Sequence, residues 1–74
     1  MIKAAAILHN GIQYTGKRHR EIIELNQHVN LRKGQEGFVT NQGLFVDREE
    51  AAKIALISGQ IKTPKKSLKS EDLW

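Results

Sequence analysis

Lys17, Arg18, His19 and Arg20 are four consecutive residues and the densest group of side chains in this chain able to do chemistry. They precede an apolar run, Ile22, Ile23, Leu25 and Val29, whose spacing at 100° per residue predicts a helix over residues 17–29. The helix dipole puts about half a positive charge at that end, so each cation there is unfavourable by about 0.3–1 kcal/mol. A bound anion would offset this penalty, because the free backbone N–H groups of a helix start also point at it. On the predicted helix Arg18 lies on the apolar stripe, four residues before Ile22. His19 falls between Ile22 and Ile23, while Lys17 and Arg20 point away. A guanidinium on an apolar stripe needs an anionic or carbonyl partner. Two partners fit: a phosphate held with the helix amides, or a buried pairing with Asp47 or Glu36.

A second arginine repeats the theme. Asp47 followed by Glu50 has the spacing of a capping box and opens the run "REEAAKIALIS", with Gly59 as its closing C′ residue. Glu49, Glu50 and Lys53 form the polar face of that helix and Ala51, Ile54 and Ala55 its buried face; Arg48 projects on the buried side. Phe38 and Phe45 flank a hairpin turn. Core packing is the ordinary role for such aromatics, and stacking on a nucleobase beside the arginines is the functional one. Asn41 and Gln42, at that turn, could read polar base edges.

Other chemistries find little support. Ser58, Ser67 and Ser70 lie at a helix end or in the basic C-terminal stretch, with no oriented base beside them. Helix capping and solvation explain Glu49-Glu50 and Glu71-Asp72 without acid–base catalysis. His9, His19 and His28 have no standard metal-ligand spacing. The expectation is therefore a binding protein with no catalytic residues, no metal and no cofactor.

The elements that must position these residues are short. "IKAAAILH" and "IQYT" flank Asn10-Gly11, the pair a type I′ hairpin turn requires. "FVT" and "LFV" flank "NQG", a second hairpin with Gly43 at positive φ. The order is ββ-α-ββ-α, an α+β domain over residues 1–60. Residues 61–74, "IKTPKKSLKSEDLW" from Ile61, read as a basic extended arm with a turn at Ser70-Glu71-Asp72, packing on the body or on a neighbouring subunit.

Size and charge narrow the partners. A 74-residue chain without cysteine has no disulfide to support a small core, which favours a homo-oligomer. A net charge of +4 and a pI near 9.7 favour anionic partners. No segment approaches the roughly 20 apolar residues of a membrane span, and no signal peptide is recognisable, so the expected location is cytoplasmic.

"TGKRHREII", "QEGFVTNQGLFVDREEAAKIALISGQI" and "SEDLW" together resemble a family of small phage and prophage proteins. The likeness covers about residues 15–74 and is most specific from Gly37 to Gly59. The pattern is also similar to phage anti-Thoeris sponge proteins, small α+β oligomers that sequester cyclic ADP-ribose-type or cyclic oligonucleotide immune signals. That resemblance implies binding without catalysis, phosphates held by arginines and a base stacked on an aromatic. The positions it implies are Arg18, His19, Phe38, Asp47 and Arg48. The chain departs from the sponges in its shorter N-terminal sheet, in Arg20 where a second histidine is common, in lacking a cysteine near Ile22, and in Leu44 where a polar residue is usual. The alternatives are a nucleic-acid-binding module using Lys17, Arg20, Lys62, Lys65 and Lys66, and an inhibitor of a host protein anchored by Leu73 and Trp74.

Overall fold

A computed structural model describes residues 1–74. Strands β1 (Ile2–His9), β2 (Ile12–Gly16), β3 (Gln35–Thr40) and β4 (Phe45–Asp47) form one antiparallel sheet in the order β2-β1-β3-β4. Helices α1 (His19–Leu25) and α2 (Arg48–Ile57) accompany it, with single 3-10 turns at Leu31–Lys33 and Ser70–Asp72. This is the α+β architecture expected, with both hairpins in place. Asn10 and Gly11 have φ of 51° and 77°, as a type I′ turn demands, and Gly43 has φ of 82°. The two hairpins join because β1 pairs with β3, setting Ala5 opposite Phe38 and Ile7 opposite Glu36.

One face of the sheet carries the core. Ala5, Ile7 and Phe38 pack there against Ile22 of α1, Ala51, Ala52 and Ala55 of α2, and Leu31 of the first 3-10 turn. The three alanines let α2 approach the sheet closely. Its start is capped as the sequence suggests: the Asp47 carboxylate accepts a 2.8 Å hydrogen bond from the Glu50 N–H. Its end is a Schellman turn. Gly59 takes φ of 80°, and the N–H groups of Gly59 and Gln60 donate to Leu56 and Ala55.

Helix α1 is shorter than its periodicity predicts. It runs over seven residues rather than 17–29, because β2 continues to Gly16 and Arg18 remains extended at φ −134° and ψ 146°. At the other end the Asn26 side chain donates to the Ile22 carbonyl at 2.8 Å, taking the place of a further turn. The buried face accordingly shifts by one position. It consists of His19, Ile22 and Ile23, while Leu25 is 79% exposed. Arg18 does not sit on the apolar stripe.

Residues 61–74 pack on the body of the same chain. Ile61 and Leu68 enter the core, and Leu73 and Trp74 pack against it half-buried. The segment is tethered at its start and again in its middle. Gln60 accepts from the Ile2 N–H at 2.7 Å and donates to the Ile2 carbonyl at 2.8 Å, so one side-chain amide serves both backbone groups beside a bulge in β1. Farther along, the Leu68 N–H donates to the Arg48 carbonyl at 3.0 Å.

Candidate functional site

The residues singled out in the sequence divide into those the core uses and those that face a cleft. His19 is 7% exposed, and its Nε2 lies 2.7 Å from the Gly37 carbonyl oxygen. A carbonyl only accepts, so Nε2 carries the proton and donates. The imidazole meets Phe38 edge to face, ring centroids 5.1 Å apart. Phe38 itself is fully buried, so no base can stack on it. The core role prevails, since Phe38 is the largest side chain under the helices. Asp47 is committed to capping α2, and Phe45 lies on the opposite face of the sheet.

The two arginines go separate ways. The Arg18 guanidinium is exposed and donates from Nη2 to the main-chain oxygen of Trp74 at 2.5 Å. Its partner is thus neither Asp47 nor Glu36, and the cluster of cations at the helix start is relieved by a carbonyl from the far end of the chain. Arg48 takes Glu36 instead, through an ion pair between half-exposed side chains. Its Nε is buried without an acceptor, so this guanidinium keeps a free donor.

Beside His19 a cleft of about 440 Å³ opens between α1 and the start of β3. Arg20, Ile23, Glu24, Arg32 and Glu36 complete its lining. Past Ile23, Glu24 and Arg32 it continues into a second hollow of about 430 Å³ over Gln27 to Leu31. Its charges are mostly spoken for. Arg20 pairs with Glu24 at 3.1 Å one helical turn on, and Glu36 pairs with Arg48. Arg32 is the one cleft guanidinium without a carboxylate partner. Sequence reasoning passed over it because "NLRKGQEG" reads as a helix-breaking loop; the apolar Leu31 inside that loop, now buried, was the available signal that the loop packs back on the body. No three His, Asp or Glu side chains come together as a metal site would require.

A family model described as "Phage T4 y16D protein" matches residues 1–74. The chain belongs to this family. The resemblance to small phage proteins is thereby established over the whole sequence rather than from residue 15 onward. No curated protein and no solved structure matches the chain.

In this y16D-family chain the "SEDLW" stretch is a docking device. The Asp72 carboxylate accepts from Lys65 Nζ and from the Lys69 N–H, both at 2.9 Å. The Lys65 hydrogen bond, followed by that from Lys69, lowers the Asp72 pKa below its ordinary 3.8. A carboxylate depressed by folding adds stability that is complete above its unfolded pKa and lost as pH falls through the folded one. We therefore expect the 70–74 turn to loosen below about pH 3.8, read as a change in Trp74 fluorescence. The Lys65→Met variant should show that change at higher pH.

Proposed function

We propose that this phage protein binds and sequesters a phosphate-bearing nucleotide signal, a cyclic ADP-ribose isomer or a cyclic oligonucleotide, in the cleft beside α1, without degrading it. In that role it blunts a defence signal in the cytoplasm of the infected host. The observation that carries the reading is the unpaired Arg32 guanidinium in a cleft of about 440 Å³, within the range of small-molecule sites. Arg48 lies one ion pair away, where it holds the cleft residue Glu36. His19, the cleft residue best suited to proton transfer, has Nε2 committed to Gly37, which favours binding over catalysis. The phosphate contact is thus reassigned from Arg18 to Arg32, with His19 retained in the cleft wall, Arg48 outside the lining and paired with Glu36, and Phe38 and Asp47 removed from contact with the ligand.

Calorimetric titration with cyclic nucleotides and cyclic ADP-ribose isomers, beside a short DNA duplex and at two salt concentrations, tests this. One small ligand should bind with little salt dependence and be recovered intact. Arg32→Gln should weaken it about 10- to 100-fold, the effect of a charged hydrogen bond of about 1.5–3 kcal/mol. Arg18→Ala should leave it unchanged. Equal affinity in wild type and Arg32→Gln would remove the site from the cleft.

A second reading draws on Lys17, Lys62 and Lys66, which are exposed and have no carboxylate partner, whereas Lys65 is held by Asp72. Binding of the duplex alone, falling steeply with salt, would mark a nucleic-acid-binding module.

A further inference from the structure

We infer, resting on the nucleotide reading of the cleft, that its ligand is a dinucleotide: two nucleoside units joined through phosphate, one in each hollow, with the phosphate at Arg32. The hollow over Gln27 to Leu31 then becomes a second subsite. The two hollows are alike in size, about 440 and 430 Å³, and each falls within the roughly 300–1,000 Å³ of a complete small-molecule site. One mononucleotide has no need of both. Yet they are not independent, because Ile23, Glu24 and Arg32 line the one as well as the other. A ligand that fills both passes over Arg32.

Charge decides which part of the ligand lies at that boundary. Besides histidines, the charged side chains of the two hollows are Arg20, Glu24, Arg32 and Glu36. Arg20 and Glu24 pair with each other, and Glu36 pairs with Arg48. The uncompensated charge is therefore on Arg32, the residue the hollows share. An anionic group is drawn to the middle of the site, and the parts of the ligand on either side meet charges already paired. A mononucleotide or a nucleoside triphosphate carries its charge at one end and would leave one hollow unfilled. In a dinucleotide the phosphate stands between the nucleosides, where a guanidinium can grip it through two parallel N–H donors.

Each hollow has groups suited to a nucleoside. In the far one Val29 and Leu31 supply apolar surface, and Gln27 and Asn30 are exposed. Asn30 makes no side-chain capping bond to the turn it precedes, so its amide is free. A side-chain amide presents a donor and an acceptor side by side, the pattern that matches a base edge. In the near hollow His19 donates from Nε2 to the Gly37 carbonyl. The other nitrogen of the neutral ring, Nδ1, is then an acceptor, and it is not among the side-chain atoms sealed without a partner. It can take a hydrogen bond from a ribose hydroxyl or a base N–H.

Calorimetric titration of the full chain with cyclic di-AMP, cyclic di-GMP and the linear dinucleotide ApA, against AMP, GMP, 3′,5′-cyclic AMP and cyclic ADP-ribose, tests this. One of the dinucleotides should bind at least about 10-fold more tightly than any one-base ligand, since its second unit adds contacts worth about two hydrogen bonds. Gln27→Ala and Asn30→Ala, at exposed positions where folding is little at risk, should each weaken that dinucleotide about 3- to 10-fold, the loss of one neutral hydrogen bond. Their far-UV circular dichroism should match the wild type. A one-base ligand that binds as tightly as any dinucleotide, and is weakened by Arg32→Gln, would keep the cleft as the site and overturn the two-unit ligand. A dinucleotide indifferent to both far-hollow substitutions would overturn it as well. Binding of no nucleotide at all would overturn this inference together with the sequestration reading beneath it.

Discussion

Phe38→Ala should destabilise the fold by about 3–5 kcal/mol, the cost of emptying a fully buried aromatic site. A domain of this length has only about 4–11 kcal/mol in total, at roughly 0.05–0.15 kcal/mol per residue. The variant should therefore unfold at far lower urea than the wild type, and a substantial unfolded fraction is expected even without denaturant if the parent lies near the lower bound. The loss is concentrated at this position because the ring touches both layers. It packs beneath α1 and α2 in one cluster and meets the edge of His19, whose Nε2–H is bonded to the preceding carbonyl. Phe38→Leu should recover part of the loss by refilling part of the volume. The experiment also decides between two roles for the ring. A Phe38→Ala protein of wild-type stability that had lost nucleotide binding would make Phe38 a stacking platform instead.

Gly37→Ala should be nearly as damaging, although it adds one methyl group to a strand. The new Cβ would run into the Val46 carbonyl oxygen and lie 2.5 Å from Phe45 Cζ. The ring can rotate away, but the carbonyl belongs to the neighbouring strand β4 and cannot yield without moving it. Overpacking of this kind costs about 1–3 kcal/mol. Movement of β3 would also stretch the hydrogen bond that His19 makes to the Gly37 oxygen, worth about another 1 kcal/mol. At about 4–8 °C per kcal/mol for a domain of this size, the melting temperature should fall by roughly 10 °C or more. A fall of under 2 °C would mean that β4 can retreat freely from β3.

These two residues explain why "EGFVT" stands out in the sequence. Glycine lets the Phe45 ring and the β4 backbone close over one face, and phenylalanine fills the other. Neither requirement concerns a ligand. The resemblance that assigned Phe38 to base stacking thus rested on a motif that the fold itself demands.

What was legible from the sequence was local. Asn10-Gly11, Gly43, the Asp47 cap and the Gly59 stop are each decided by φ preferences or by hydrogen bonds spanning five residues or fewer, so neighbouring residues suffice to specify them. The α+β class and the small phage family followed from the same local signals and from the motif between Gly37 and Gly59. The limits of α1 were not legible. Its apolar period extends past both ends, and competition from β2 on one side and the Asn26 side chain on the other sets where it stops. That shift of one or two residues exchanges Arg18 for His19 as the buried group, which moved the expected anion site.

Tertiary structure decided what depends on residues far apart in the chain. The union of the hairpins through β1 and β3, the choice of Glu36 by Arg48, and the capture of Arg18 by Trp74 join residues 12 to 56 positions apart or, for the strands, some thirty. Alternation states that each strand has two faces, yet only the placement of both helices on one side leaves the other uncovered. The cleft at Arg32 arises in the same way, from a loop folded back beside α1. Periodicity and capping are short-range physics and can be read along the chain, whereas partner choice is a competition among distant groups that only the folded arrangement resolves.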